Sequence, residues 1–119
     1  MQNEIRSAIQ DSIKVQESVL QGQVDNIEKA AKAVIECLKK GGKLIVFGNG
    51  GSAAYSQHIA AEFVGRFKLE RRALPAIALT NDTSALTAIA NDYGYDRVFA
   101  RQMEALGNKG DVALGITTS

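Results

Sequence analysis

Cysteine and proline each occur once, no apolar stretch approaches the length of a membrane span, and neither sign of charge prevails, 14 Lys and Arg standing against 13 Asp and Glu. Each shortage removes a class of function. The lone Cys37, within Val34-Ile35-Glu36-Cys37-Leu38, cannot form an internal disulfide and reads as a core thiol in a reducing compartment. A net charge of +1 gives no broad positive field for a nucleic-acid backbone. The one basic cluster, Arg66, Lys68, Arg71 and Arg72, has the character of a solvated helix end and loop. The amino terminus is charged and amphipathic where a signal peptide is continuously apolar. A cytoplasmic protein without nucleic-acid or membrane partners is expected.

What is present is the composition of one ordinary globular domain, 45% hydrophobic and 23% charged over 119 residues. Ile5, Ala8, Ile9 and Ile13 recur at helical spacing, and a polar turn around Gln21-Gly22-Gln23 separates them from a second helical stripe of Ile27, Ala30, Ala31, Val34 and Leu38, which Gly41-Gly42 stops. Leu44-Ile45-Val46-Phe47 is a short apolar run between glycines, as in a strand covered on both faces. A helix is expected from Ser52, as its cap, to about Phe67, with Ile59, Phe63 and Phe67 on one side. Pro75 opens a second strand to Leu79, where proline is tolerated at the first position. A helical piece at 84–90 follows. Asp96 is placed to cap another, with Val98, Phe99, Met103 and Leu106 as its buried stripe and Gly107 as its end. Val112 to Ile116 reads as the third strand. Strands alternating with helices predict an α/β fold, a three-layer sandwich around a parallel sheet preceded by two N-terminal helices. In such sheets ligands bind beyond the carboxyl ends of the strands, here after Phe47, Leu79 and Ile116.

Four groups of residues carry potential chemistry. Gly48-Asn49-Gly50-Gly51-Ser52-Ala53 joins a strand to a helix start, where unpaired N–H groups and the positive end of the helix dipole attract an anion; the same turn can equally serve geometry alone. It lacks the Gly-Lys-Ser/Thr ending of a P-loop. Gly48, Gly50 and Ala53 satisfy a dinucleotide fingerprint, but Asp82 lies 34 positions beyond Gly48, where the ribose-binding acid is expected about 20 on. His58 and Glu62, four apart, project from one face of the same helix, and Arg66 continues that face. An imidazole and a carboxylate so spaced either share a metal ion, move a proton between adjacent sugar carbons, or form a plain surface ladder. Asn91-Asp92 either holds sugar hydroxyls or ends a helix. Thr117-Thr118-Ser119 places three hydroxyls after the third strand, where they could cradle a phosphate.

In order and spacing, Gly-Asn-Gly-Gly-Ser at 48–52, Gln57-His58-Ile59-Ala60-Ala61-Glu62-Phe63, Asp82-Thr83-Ser84-Ala85-Leu86-Thr87-Ala88-Ile89, Asn91-Asp92-Tyr93-Gly94-Tyr95 and Gly110-Asp111-Val112 resemble the phosphoheptose isomerases. That family has the sugar-isomerase (SIS) fold, of flavodoxin-like type. The resemblance covers nearly the whole chain and divides it into an N-terminal helical segment, 1–40, and the first part of a SIS domain, 41–119. It implies conversion of sedoheptulose 7-phosphate to D-glycero-D-manno-heptose 7-phosphate through an enediol, a step toward the heptose of lipopolysaccharide, in a cytoplasmic homotetramer. By the same resemblance Asn49, Gly50, Gly51, Ser52, Asn91 and Asp92 contact substrate, and Thr117, Thr118 and Ser119 hold its phosphate. His58 and Glu62 ligate zinc, and Glu62 also touches substrate and transfers the proton.

Three departures from the family pattern stand out. Thr117 replaces the usual first serine of Ser-Thr-Ser-Gly-Asn-Ser, and the motif stops at Ser119. Family members continue with a further strand, helices, and a glutamine and histidine that complete the site, so the 119-residue chain alone is expected to turn over little substrate. Tyr55-Ser56 stands where Ala/Cys-Asp or Asp-Ala is usual. Relatives in the same fold that bind the bacterial replication initiator without isomerase chemistry supply one alternative reading, and a sugar-phosphate-binding regulatory module supplies another. His58 and Glu62 favour the enzyme, since a scaffold has no need of that pair.

Overall fold

The computed structural model describes residues 1–118. By its internal contacts the chain forms two compact units, Met1–Ala33 and Val34–Ser119. The first contains α1 (Gln2–Gly22) and the beginning of α2 (Val24–Lys39), whose backbones break at Gln23. No side chain of α1 is buried, and Ile5, Ile9 and Ile13 stand about half exposed. Ile27 and Ile35 of α2 are exposed as well.

The second unit begins with the end of α2, where Cys37 is buried as its apolar surroundings predict. Then follow β1 (Leu44–Gly48), α3 (Gly51–Val64), β2 (Ala76–Ala78), α4 (Thr83–Tyr93), a single 3-10 turn (Tyr95–Arg97), α5 (Val98–Leu106) and β3 (Val112–Ile116). The three strands form a parallel sheet in the order β2-β1-β3, with Val46 opposite Ala78 on one side and Leu114 on the other. β1 is therefore central, and Leu44, Ile45 and Val46 are almost wholly buried.

The chain leaves β1 for one edge through α3 and crosses to the other edge through α4 and α5. Right-handed crossovers running in opposite directions put their helices on opposite faces of a sheet. Contacts agree. Phe99 of α5 stacks at 5.1 Å on Phe47, whose side chain points to the face opposite that of its neighbour Gly48, against which Ser52 of α3 lies. The architecture is the expected α/β three-layer arrangement. Its core is β1 with Ala60 of α3, Ala78 and Leu79 of the β2 segment, and Val98 of α5.

Several local expectations are corrected. α3 stops at Val64, and Phe67 lies beyond it, 70% exposed, although it still borders one cavity with Ile59 and Phe63. The cause is Arg71, which is no solvated loop residue. Its guanidinium donates to the carbonyls of Glu62 (2.7 Å), Phe63 (3.0 Å) and Gly65 (3.3 Å), which another helical turn would have used, and to Arg72 O (2.9 Å) in its own loop. Asp96 caps nothing: α5 starts from Arg97 without a side-chain cap. Its inner face carries Gln102, whose amide donates to Leu79 O and Val98 O, while Leu106 is exposed. Asn91 and Asp92 lie inside α4, which runs to Tyr93 before Gly94 (φ +92°) breaks it.

At the amino ends of the strands, Asp111 ties β3 to β1. It accepts from Lys43 N (2.9 Å), Lys43 Nζ (2.6 Å) and Asn108 N (2.8 Å), and its side chain is 6% exposed. The Lys43 ammonium, followed by those two amides, holds its carboxyl down from 3.8 to about 2.

Candidate functional site

At the carboxyl end of β1 the glycine turn is shaped by two requirements. Gly48 passes so close to β3 that a Cβ there would lie 2.7 Å from Ile116 O and 2.8 Å from Ser52 Cβ, and Gly50 takes φ +56° as the N-cap of α3. Ser52 is accordingly not the cap. It sits within the first turn, buried, with its N–H on Asn49 O and its carbonyl accepting from Ser56 Oγ at 2.8 Å. No side chain caps α3, so the positive end of its dipole and its leading amides face the turn. Such a start is suited to an anion or a set of sugar hydroxyls.

Two other segments meet this turn. Gly48 pairs with Ile116, so Asn49 and Thr117 leave the sheet side by side and Thr118 follows. Ser119, the third hydroxyl of that expected cradle, lies outside the described residues. From the other direction Tyr95 donates its hydroxyl to Asn49 Oδ1 at 2.6 Å, across 46 positions of sequence. Nothing in the spacing marked that residue. Asn91 and Asp92 lie one turn earlier, exposed, with Asn91 Nδ2 donating to Asp92 Oδ1 at 2.8 Å. Asp82, the carboxylate that a dinucleotide site would use, instead accepts from Ala85 N at 2.9 Å and caps α4.

His58 and Glu62 are brought together but not into the turn. Their Nε2 and Oε1 atoms lie 3.5 Å apart, with side chains 71% and 31% exposed. They line a cavity of ≈ 260 Å³ with Ile59, Phe63, Phe67 and Arg71, and its described lining contains no residue of 48–52. Gly51, Tyr55, His58 and Glu62 nevertheless follow one another at intervals of four, three and four, so the pair continues the side of α3 on which the turn opens. The separation from Gly51 to His58 along the axis is about 10 Å. Tyr55 stands exposed between them, whereas Ser56 faces the sheet and is fully buried. Arg66 does not continue this face, because the helix has ended; it pairs with Glu70 at 3.5 Å.

Glu62 Oε2 is shielded from solvent and has no hydrogen-bond partner among the described residues. A carboxylate oxygen in that condition calls for a cation or a donor from outside the described set. For zinc, the imidazole and this carboxylate fit as two of the three or four protein donors such a site takes. Among the described residues no third His, Cys, Asp or Glu joins them.

The comparisons with known proteins cover almost the whole chain. The SIS domain model matches residues 9–119. A phosphoheptose isomerase of Roseiflexus sp. (strain RS-1) is 60% identical over 111 residues, which are 93% of this chain and 56% of the relative. One from Aliarcobacter butzleri is 62% identical over 101 residues, 85% of this chain and 53% of the relative. The solved phosphoheptose isomerase of Neisseria gonorrhoeae superposes with a TM-score of 0.91 at 46% identity, covering 99% of this chain and 61% of that one. That of Francisella tularensis gives 0.93 at 43%, covering 98% and 61%. The chain thus spans little more than half the length of the curated relatives it matches.

Proposed function

The chain belongs to the SIS-domain family, and from that premise we propose that it serves a cytoplasmic aldose–ketose isomerase converting sedoheptulose 7-phosphate to D-glycero-D-manno-heptose 7-phosphate. The observation that carries the proposal is Glu62 Oε2, a carboxylate oxygen withheld from water and left without a partner beside His58. Such a group is suited to taking a proton from carbon. The phosphoheptose isomerases among the relatives supply the substrate class.

In this reading Glu62 removes a proton from C1 of the ketose, and the C1–H electron pair forms the C1=C2 bond as the C2 oxygen gains charge. The proton returns at C2 while the hydroxyl proton passes from O1 to O2, leaving the aldose. Asn49 and the amides of Gly50 and Gly51 hold sugar oxygens, with Ser52, Asn91 and Asp92 beside them. Thr117, Thr118 and Ser119 bind the phosphate as an anchor that stays unchanged through the reaction. His58 and Glu62 would hold a zinc ion, which when bound supplies Lewis-acid polarisation of the carbonyl oxygen. A homotetramer is part of the proposal, and the half-exposed Ile5, Ile9 and Ile13 of α1 support self-association.

The test is turnover of sedoheptulose 7-phosphate by the native protein, meaning this sequence within a chain of its relatives' full length, and by Glu62→Gln and His58→Ala in that same protein. Loss of general acid–base catalysis lowers kcat by about 10²–10⁴-fold in Glu62→Gln. Turnover unchanged by either substitution, or absent from the native protein, overturns the isomerase in favour of an adaptor or a sugar-phosphate sensor.

A further inference from the structure

Tyr95 is 62% exposed, so burial does not account for the position of its ring. What does is the chain around it and one hydrogen bond. Gly94, at φ +92° and ψ 154°, breaks α4 and turns the backbone, and the 3-10 turn that follows presents the phenol back across the sheet end to Asn49. The 2.6 Å separation of Tyr95 Oη and Asn49 Oδ1 is at the short end for a hydroxyl donor.

The bond has a directional consequence. The two ends of an asparagine carboxamide have nearly the same shape and opposite hydrogen-bonding character. On an exposed residue nothing but a partner decides which end faces which way. Here the phenolic O–H engages Oδ1, which directs the –NH2 end away from Tyr95 and leaves both its N–H donors for the glycine turn. Asn49 also fixes the turn through its own carbonyl, which accepts from Ser52 N at 2.9 Å. The side chain and the uncapped start of α3 thereby present donors to the same place.

We propose that Tyr95 is a positioning residue: it locks the Asn49 carboxamide with its N–H donors turned toward the sugar-phosphate oxygens. It acts through Asn49 and does not itself touch substrate. The role rests on the sugar-phosphate reading of the turn, whereas the locking of the amide does not. Fixing a rotamer before binding removes an ordering cost from the complex, and the interaction is made equally in the ground and transition states.

The experiment follows the Asn49 side-chain amide by NMR in the native protein and in Tyr95→Phe, and measures KM and kcat for sedoheptulose 7-phosphate in both, in Asn49→Ala and in the double variant. The expected result is that Tyr95→Phe shifts the Asn49 amide signals and lowers their order parameter while the unfolding midpoint stays. KM rises about fivefold, the worth of one exposed hydrogen bond, with kcat within twofold. In the Asn49→Ala background the second substitution adds nothing. Unaltered amide signals and order overturn the proposal, as do additive effects on KM or a fall in kcat alone. Altered amide signals with no binding of the sugar phosphate by the native protein overturn the functional reading and the binding role of Tyr95, and leave the lock standing.

Discussion

The two ends of the parallel sheet treat their polar groups in opposite ways. At the amino ends of the strands, Asp111 accepts from two amides and an ammonium and joins β3 to β1 with its carboxylate fully engaged. At the carboxyl ends, α3 starts without a side-chain cap, and Asn49 has one end of its amide held and the other free of Tyr95. Saturated polar groups at one end hold the sheet together; incompletely satisfied ones at the other are what a ligand completes.

The hardest break is at the carboxyl end. Gly48→Val would drive its side chain into Ile116 O and Ser52, both fixed by neighbouring backbone, at a cost of roughly 3 kcal/mol. A urea midpoint equal to that of the native chain would show that β1 and β3 are not held at this spacing. A smaller loss is expected at the amino end from Asp111→Asn, which keeps the shape but turns an –NH2 toward existing donors. Because folding lowers the Asp111 pKa from 3.8 to about 2, its contribution is complete above pH 4 and fades as pH falls between those values. The midpoints of the native protein and Asp111→Asn should therefore differ by a constant amount above pH 4 and converge toward pH 2. A gap that persists at pH 2 would place the effect of Asn in packing and not in charge.

The contrast between the ends also explains what could be read in advance. Strand positions were legible because Leu44–Phe47 is an apolar run between glycines, as burial on both faces demands of a central strand, and Val112–Ile116 is a second short apolar run, although as an edge strand it is largely exposed. The glycine turn was legible because positive φ and close approach restrict residue choice. What failed were element ends. Phe67 keeps the helical spacing of Ile59 and Phe63, yet α3 stops earlier because Arg71 arrives from beyond the helix to take its carbonyls. Leu106 likewise fits a stripe that Gln102 fills, since the carbonyl of Leu79 lies in reach. Tyr95 was invisible as a site residue for the same reason: its partner is remote in sequence, and no periodicity records a long-range hydrogen bond.

The smallest effect belongs to Ser56, half of the Tyr55-Ser56 pair that departs from the family pattern. Ser56 is fully buried against the sheet, and its hydroxyl returns to Ser52 O at 2.8 Å, one turn earlier in α3. Ser56→Ala forfeits that bond, worth about 1 kcal/mol. It gains alanine's helix propensity, about 0.5 kcal/mol, and strands no partner, because the Ser52 carbonyl still has the helical N–H of residue 56. The second term offsets about half of the first, so stability should fall by only roughly 0.5 kcal/mol. A back-bonded serine also bends its helix slightly, and here the bend falls in the turn whose amides open toward Asn49. Affinity for the sugar phosphate should fall severalfold while stability changes by no more than that. Equal affinity with lower stability would make Ser56 a packing residue and detach it from the carboxyl-end site.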